Sequence, residues 1–291
     1  MTVPTPGLAV HTLSVDDGTT LGYRSVGDGP GLVVLHGAMS TGAYHRDLAD
    51  LLADRFTVHL PDRRGRGLSG PRRPGDGHDR DVVDLLALLE ITGARDVFAV
   101  SSGAIVALTA ALRNPDAFGR LVVNEPPFIP AERAQPLVAE LRRRLERGDL
   151  AGALVTGMKG GELGPAALNR VPDRLLALMI RPGLNSPMVK GADYPTMAAL
   201  APTLADDFAV VAEAGADGVE RFAGLRLPLT CVTGTKSPGY LRGGMRELSR
   251  VVPGARLVEL PDVGHDVSWN RELRGHPDLV ADAVRQALPP E

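Results

Sequence analysis

The sequence predicts an α/β architecture: a mostly parallel, eight-stranded sheet flanked by helices, with a helical insertion late in the chain. Three observations predict it. Short apolar, β-branched runs alternate with segments of helical period through residues 1–127 and again through 226–291, the alternation that builds parallel βαβ units. That alternation stops from 128 to 225, where prolines and glycines separate short helical patterns. One stretch, Val97 to Val106, turns from strand to helix with no loop, a junction that demands small residues at its bend. The expected organisation is a core of 1–127 plus 226–291 and a helical cap of 128–225.

Val10 to Val15 and Thr20 to Ser25 alternate well enough to pair, with Asp16-Asp17-Gly18 as the turn between them. A Gly-Asp-Gly-Pro loop leads to the buried strand Gly31 to Leu35, which runs into His36-Gly37-Ala38-Met39. Thr41 to Arg55 carries Leu48, Leu51 and Leu52 at helical spacing, and Phe56 to Leu60 is the next strand. Pro61-Asp62-Arg63-Arg64-Gly65-Arg66-Gly67-Leu68-Ser69-Gly70 follows. Its glycines suit a tight loop. Its arginines lack the spacing of a phosphate-binding loop, so they are expected as paired surface groups.

Asp81 to Ile91 is an amphipathic helix leading to the central strand, and the helical run Ala104 to Leu112 lies beyond the bend. Leu121 to Asn124 is a further strand, and Pro126 and Pro127 force the chain out of the ladder. Glu125 is thereby left at the strand's C-terminal edge, where open α/β sheets bind ligands. In the insertion, Leu137, Leu141 and Leu145 mark one helix face, with Arg142 to Arg144 on the solvated one. Leu227 to Thr233 and Ala255 to Leu260 are the last strands, with a helix near Tyr240 to Val251 between them, and Pro277 to Leu288 closes the chain. The loop Pro261-Asp262-Val263-Gly264-His265-Asp266 follows the final strand, and chain order folds its histidine back over the bend.

At the bend, Ala99 and Gly103 flank Ser101 at the positions where the helix backbone packs against the strand it has just left. Ser101 is thus expected on a strained turn with its hydroxyl clear of the sheet. Centring the bend on Ser102 would put Val100 where a small residue is needed, and valine fits badly. A plainer reading makes Ser102 the N-cap of an ordinary helix. An apolar strand ending in His-Gly-small, as at His36-Gly37-Ala38, is a motif at which the backbone is expected to turn an N–H toward such a serine, which makes Ala38 and Ser102 the candidate oxyanion donors. His36, ending a buried strand, is expected to be a structural hydrogen-bonder rather than a base.

Composition bounds the remaining classes. The 291 residues are 44% hydrophobic and 23% charged, with a net charge of -3, which gives no electrostatic case for nucleic acid or an anionic membrane. No apolar run approaches the ~20 residues of a membrane span. Met1 to Val10 lacks the basic-then-apolar order of a signal peptide, so a cytoplasmic protein is expected. Cys231, the single cysteine, lies in an apolar run and reads as inert core; one cysteine excludes thiolate metal sites. Arginine supplies 29 of the 32 basic residues, and with 34 Gly and 24 Pro this points to a GC-rich bacterial gene.

Leu35-His36-Gly37, the Asp62 to Ser69 segment, the Ser101 bend, Glu125-Pro126-Pro127 and Gly264-His265 together make the chain resemble the α/β-hydrolase superfamily over nearly its whole length. The resemblance implies the order nucleophile, acid, histidine. In most members the acid follows the penultimate strand in a Gly-x-x-Asp-Pro pattern. Here that stretch is Gly234-Thr235-Lys236-Ser237-Pro238, and serine cannot hold an imidazolium by charge. Some members take the acid from the end of the strand after the bend, which assigns the role to Glu125, with Asp262 and Asp266 as reserves. A capping or surface carboxylate is the plainer reading of Glu125. The Ser-Ser-Gly-Ala bend with a later Glu-Pro also resembles zearalenone-type lactonases, in these motifs alone.

The implied activity is that of a serine hydrolase, without cofactor or metal, cleaving a carboxylic ester or lactone of a moderately apolar small molecule. His265 takes the Ser101 proton, Glu125 orients the ring, and water resolves the acyl-enzyme. A serine at the bend counts against epoxide hydrolases and haloalkane dehalogenases, which need a carboxylate there. Met39, Trp269 and the cap, 128–225, are the candidate substrate contacts. Acyl transfer or cyclisation, thioester or C–C hydrolysis, and non-catalytic ligand binding are the alternatives these motifs leave open.

Overall fold

Side chains alternate between the two faces of one sheet, and along its central strands both faces are buried. In the structure, a computed structural model, residues 7–73, 75–164, 166–189, 194–215 and 218–290 are described. The strands are β1 (Ala9–Ser14), β2 (Thr20–Val26), β3 (Gly31–Leu35), β4 (Thr57–Pro61), β5 (Asp96–Val100), β6 (Leu121–Asn124), β7 (Leu229–Gly234) and β8 (Arg256–Leu260). Among the described residues they form one eight-stranded sheet in the order β1-β2-β4-β3-β5-β6-β7-β8. The β1–β2 and β2–β4 pairs are antiparallel and the rest are parallel.

Val33, Leu35, Val97, Ala99, Leu121 and Val123 point to one face, and Leu32, Val34, Phe98, Val100 and Val122 to the other. Because both faces are covered, these strands read as continuous apolar runs. Helices α1 (Arg46–Leu52), α2 (His78–Thr92) and α3 (Ser102–Arg113) follow the first strands in chain order. Leu48 and Leu52 of α1 cover one face, while Leu85, Leu88, Ile105 and Leu108 of α2 and α3 cover the other.

Between β6 and β7 come α4 (Ala131–Glu146), α5 (Leu150–Gly160), α6 (Asp173–Ile180), α7 (Met197–Leu200) and α8 (Leu204–Gly215). Residues 165, 190–193 and 216–217 of this segment, like Met1 to Pro6 at the N-terminus, lie outside the described residues. Leu204, Phe208 and Val211 of α8 pack on Val138 and Leu141 of α4, while Val210 and Ala214 join the core beneath the sheet. Thus α8 belongs to both bodies of packing. Then α9 (Gly239–Val251) and α10 (Pro277–Ala287) complete the chain, with Val280 and Val284 packing beside α1. No described helix is long and apolar enough to cross a membrane.

The sheet has its topological switch between β3 and β5: the chain leaves β3 for β4 on one side and returns to β5 on the other. Such a point opens a crevice at the carboxyl ends of the two strands. His36 to Met39 and Ser101 occupy those ends.

Two local expectations change. The segment Thr41 to Arg55 divides into a 3-10 turn, Gly42–His45, and α1, because Gly42 lies against the end of β4 and its N–H donates to Asp62 Oδ1 at 2.7 Å. The arginines of the loop after β4 are paired but are not surface groups: Arg63, Arg64 and Arg66 are 6%, 0% and 4% exposed. Their carboxylate partners come from distant elements. Arg64 donates to Asp84 of α2 at 2.6 and 3.0 Å, and Arg63 to Asp207 of α8 at 2.7 Å.

The glycine at the bend meets a different neighbour from the one expected. A β-carbon on Gly103 would sit 2.4 Å from the carbonyl oxygen of His36, so α3 leans on the exit of β3 rather than on its own strand. Gly103→Ala is therefore expected to destabilise the protein by about 3 kcal/mol, since backbone cannot yield as a side chain does. Urea unfolding with an unchanged slope checks this, and an unaltered midpoint would contradict the contact.

Candidate active site

Three adjacent strands end in residues forced into the left-handed region. Met39 after β3, Ser101 after β5 and Glu125 after β6 have φ of 52°, 54° and 49°. Non-glycine residues persist there only where their surroundings over-determine them, and such strain gathers at functional sites. Ser101 has ψ -126° and precedes α3 as its N-cap, and its N–H donates to Asn124 O at 2.9 Å. The peptide carbonyl that holds the serine is thus the one that leads into Glu125.

Ser102 is the first helical residue and not the cap, contrary to the plainer reading of it. It is 1% exposed, and its hydroxyl is used by Arg63 and Asp207, both at 3.1 Å. An N1 amide has no intrahelical carbonyl to meet. The Ala38 N–H, half-buried in the neighbouring turn, likewise has no partner among the described residues. A β-carbon added to Gly37 would lie 2.8 Å from Ser101 Cβ, so this turn runs directly beside the serine.

Glu125 is 0% exposed, which removes the surface-carboxylate reading. Its Oε1 accepts from Thr233 Oγ1 at 2.6 Å and from the Gly234 N–H at 2.8 Å; its Oε2 faces His265 Nδ1 at 2.7 Å. Burial works to raise its pKa. The hydrogen bond and charge of His265, with the hydroxyls of Ser237 and Thr233, outweigh that and hold the carboxyl below its ordinary value. With the Nδ1 proton directed at the carboxylate, Nε2 is the ring's free acceptor.

The reserve acids do not reach the ring. Asp262 is 86% exposed and pairs with Lys236 at 3.3 Å, and Asp266 is exposed without a bond to His265. The Ser101 hydroxyl makes no hydrogen bond to His265 among the described residues in this conformation. Catalytic hydrogen bonds are commonly long in unliganded sites and tighten on binding.

His36 is the structural hydrogen-bonder expected of it. Its Nε2 accepts from the Arg63 N–H at 3.0 Å, which leaves Nδ1 to donate to Gly37 O at 2.8 Å. Burial, then the charges of Arg66 and Arg63, push its pKa well below the ordinary histidine value and keep it neutral. Cys231 is buried core, its thiol pushed up to about 12 by desolvation.

Met39 and Trp269 meet in one cluster with Tyr44, Tyr194 and Met188. The Tyr44 ring centre lies 5.3 Å from Trp269 and 5.0 Å from Tyr194, edge to face. Tyr44 and Tyr194 escaped the sequence reading. So did Asp207, although an acidic pair, Asp206-Asp207, inside the apolar run of α8 is the trace that could have revealed it.

The bend carrying Ser101 and the pair of His265 with buried Glu125 thus stand at the carboxyl edge of a mostly parallel sheet. The chain belongs to the alpha/beta hydrolase family, whose model matches residues 32–283. An alpha/beta hydrolase from Sphaerobacter thermophilus superposes with a TM-score of 0.75 at 32% identity, covering 95% of this chain and 99% of the other. The enol-lactonase from Burkholderia xenovorans superposes with a TM-score of 0.69 at 21% identity, covering 96% of this chain and 100% of that one. The 2-(acetamidomethylene)succinate hydrolase of Mesorhizobium japonicum is 35% identical over 127 residues, 42% of this chain and 45% of the relative. The chain spans less than half the length of the curated relatives it matches.

Proposed function

We propose that this protein is a serine hydrolase that cleaves a carboxylic ester or lactone of a moderately apolar small molecule through an acyl-enzyme, using no cofactor. The observation that carries the reading is the 2.7 Å pair of buried Glu125 with His265, one peptide removed from the carbonyl that holds Ser101. His265 Nε2 takes the hydroxyl proton as Ser101 Oγ bonds to the acyl carbon, and the ring passes that proton to the leaving alcohol as the C–O bond breaks. Water then attacks the acyl-enzyme with the same ring as base, which releases the acid and restores the serine. Glu125 holds one tautomer throughout and stabilises the imidazolium.

The N–H groups of Ala38 and Ser102 receive the oxyanion in both steps, each contributing about 10²- to 10³-fold. Met39 and Trp269, backed by Tyr44 and Tyr194, are the apolar wall against which the substrate lies. The hydrolysis named for the Mesorhizobium relative favours turnover over passive ligand binding. A fluorophosphonate probe is expected to label the wild type and not Ser101→Ala, and a panel of activated esters and macrolactones to yield turnover. No labelling and no turnover would leave a binding protein.

A further inference from the structure

The oxyanion donors proposed above are held from a distance by one carboxylate. Asp207, on α8 and 1% exposed, accepts from Arg63 Nη1 at 2.7 Å through Oδ1 and from Arg66 Nη2 at 3.1 Å through Oδ2. Its Oδ1 also accepts the Ser102 hydroxyl at 3.1 Å. Each of these contacts continues into the bend or into the turn after β3. Arg66 Nη1 donates to Gly37 O at 3.4 Å, beside His36 Nδ1 at 2.8 Å and Ser40 Oγ at 3.2 Å.

Gly37 C=O and Ala38 N–H are the two ends of one planar trans peptide, so donors that pin the carbonyl aim the amide the opposite way. The backbone N–H of Arg63 meanwhile fixes the His36 ring. The Ser102 side chain, gripped by Asp207 and Arg63, fixes the residue that carries the second donor. The geometry points to Asp207 as a positioning residue that sets both oxyanion donors, so that seating of α8, an element of the helical insertion, completes the electrophilic half of the site.

The packing supports this coupling. Asp207 cannot hold Arg63 and Arg66 unless α8 lies on the core, and Val210 and Ala214 of the same helix are in that core. The cluster also continues outward: Arg63 meets Asp81 at 3.3 Å, and Arg72 meets Asp81 at 2.7 Å and Asp206 at 3.5 Å. Charges therefore balance within it, three arginines to three aspartates. A substitution of Asp207 leaves buried guanidinium charge uncompensated.

The inference rests on the hydrolase reading, and the test separates the two. Asp207→Asn is expected to lower kcat about 10- to 100-fold with KM within about threefold, less than outright removal of a donor. The discriminating readout is the rate ratio between an ester and its thionoester. Sulfur is a poor acceptor for N–H donors, so a misaimed oxyanion hole slows the ester more, and the ratio should fall by about the same factor as kcat. Because breaking a buried ion network can prevent folding, Ser102→Ala provides a second variant. It keeps the backbone donor and the Arg63–Asp207 pair, removes the tie to the bend, and is expected to lower kcat and the ratio about 3- to 10-fold.

An unchanged ratio in a variant that folds, with or without a loss of kcat, would overturn the role of Asp207. Loss of Ser101-dependent fluorophosphonate labelling in the wild type would overturn the hydrolase reading instead. If Asp207→Asn fails to fold, Ser102→Ala decides alone.

Discussion

Ser101→Ala is expected to lower kcat by on the order of 10⁶-fold while leaving the fold intact, as loss of a nucleophile does when the remaining site can only bind and polarise. The physical ground is local. Ser101 Oγ is not part of any hydrogen bond that supports the bend; what holds the residue is its backbone N–H on Asn124 O and the first turn of α3. Alanine keeps both. The strain also remains, because alanine has a β-carbon at φ 54° as serine does.

Ser101→Gly removes that strain, and should unfold at a higher urea concentration than Ser101→Ala by about 1 kcal/mol. Release of a strained φ contributes roughly 1–3 kcal/mol, and glycine's extra unfolded-state entropy cancels part of it. Both variants should be equally inactive. Initial rates on an activated ester and urea curves on the same preparations check the two halves, and residual turnover above about 1% of wild type would remove Ser101 from the centre of the chemistry.

What could be read before the structure follows from where each constraint originates. The bend was legible because a strand that turns into a helix without a loop needs small residues: Ala99 is wholly buried and Gly103 must lack a β-carbon, although the backbone that Gly103 meets belongs to His36 after β3 and not to β5. The parallel strands were legible because a sheet covered on both faces leaves continuous apolar runs in the sequence. Glu125 was legible as an edge residue from the prolines after it. Its proximity to His265 required a likeness to known proteins, since the two lie 140 residues apart.

The burial of Arg63, Arg64 and Arg66 was not legible, and the reason is general. A run of arginines in a glycine-rich loop looks solvated until carboxylates arrive from elsewhere. Here they come from α2 and α8, with Arg63 and Asp207 separated by 144 residues. Nothing local distinguishes an arginine that will be buried and paired from one that will not. The use of the Ser102 hydroxyl was hidden for the same reason, being claimed by that distant pair, while the alternative of Ser102 as a cap fails because Ser101 holds that position.

Glu125→Gln should lower kcat about 10³- to 10⁴-fold, and the surrounding donors explain why so conservative a change is so damaging. Oε1 accepts from Thr233 Oγ1 and from the Gly234 N–H, and a backbone N–H can only donate. In the variant the amide oxygen must therefore take that side, because an NH₂ group there would face a fixed donor. The NH₂ is left pointing at His265 Nδ1. It can be satisfied only if Nδ1 accepts, which moves the ring proton to Nε2. The ring then presents a donor to Ser101 and cannot remove its proton, so geometry is kept while the base is lost. Stability should carry a matching signature. The folded Glu125 carboxyl titrates below its ordinary value of 4.5, so the stability it contributes is fully present above that pH and is lost as pH falls through the folded pKa. The glutamine variant lacks this term, so the gap in unfolding free energy between wild type and variant narrows on acidification. Rates across a pH series, with urea unfolding at neutral and acid pH, test both consequences; near-native turnover by Glu125→Gln would assign the acid elsewhere.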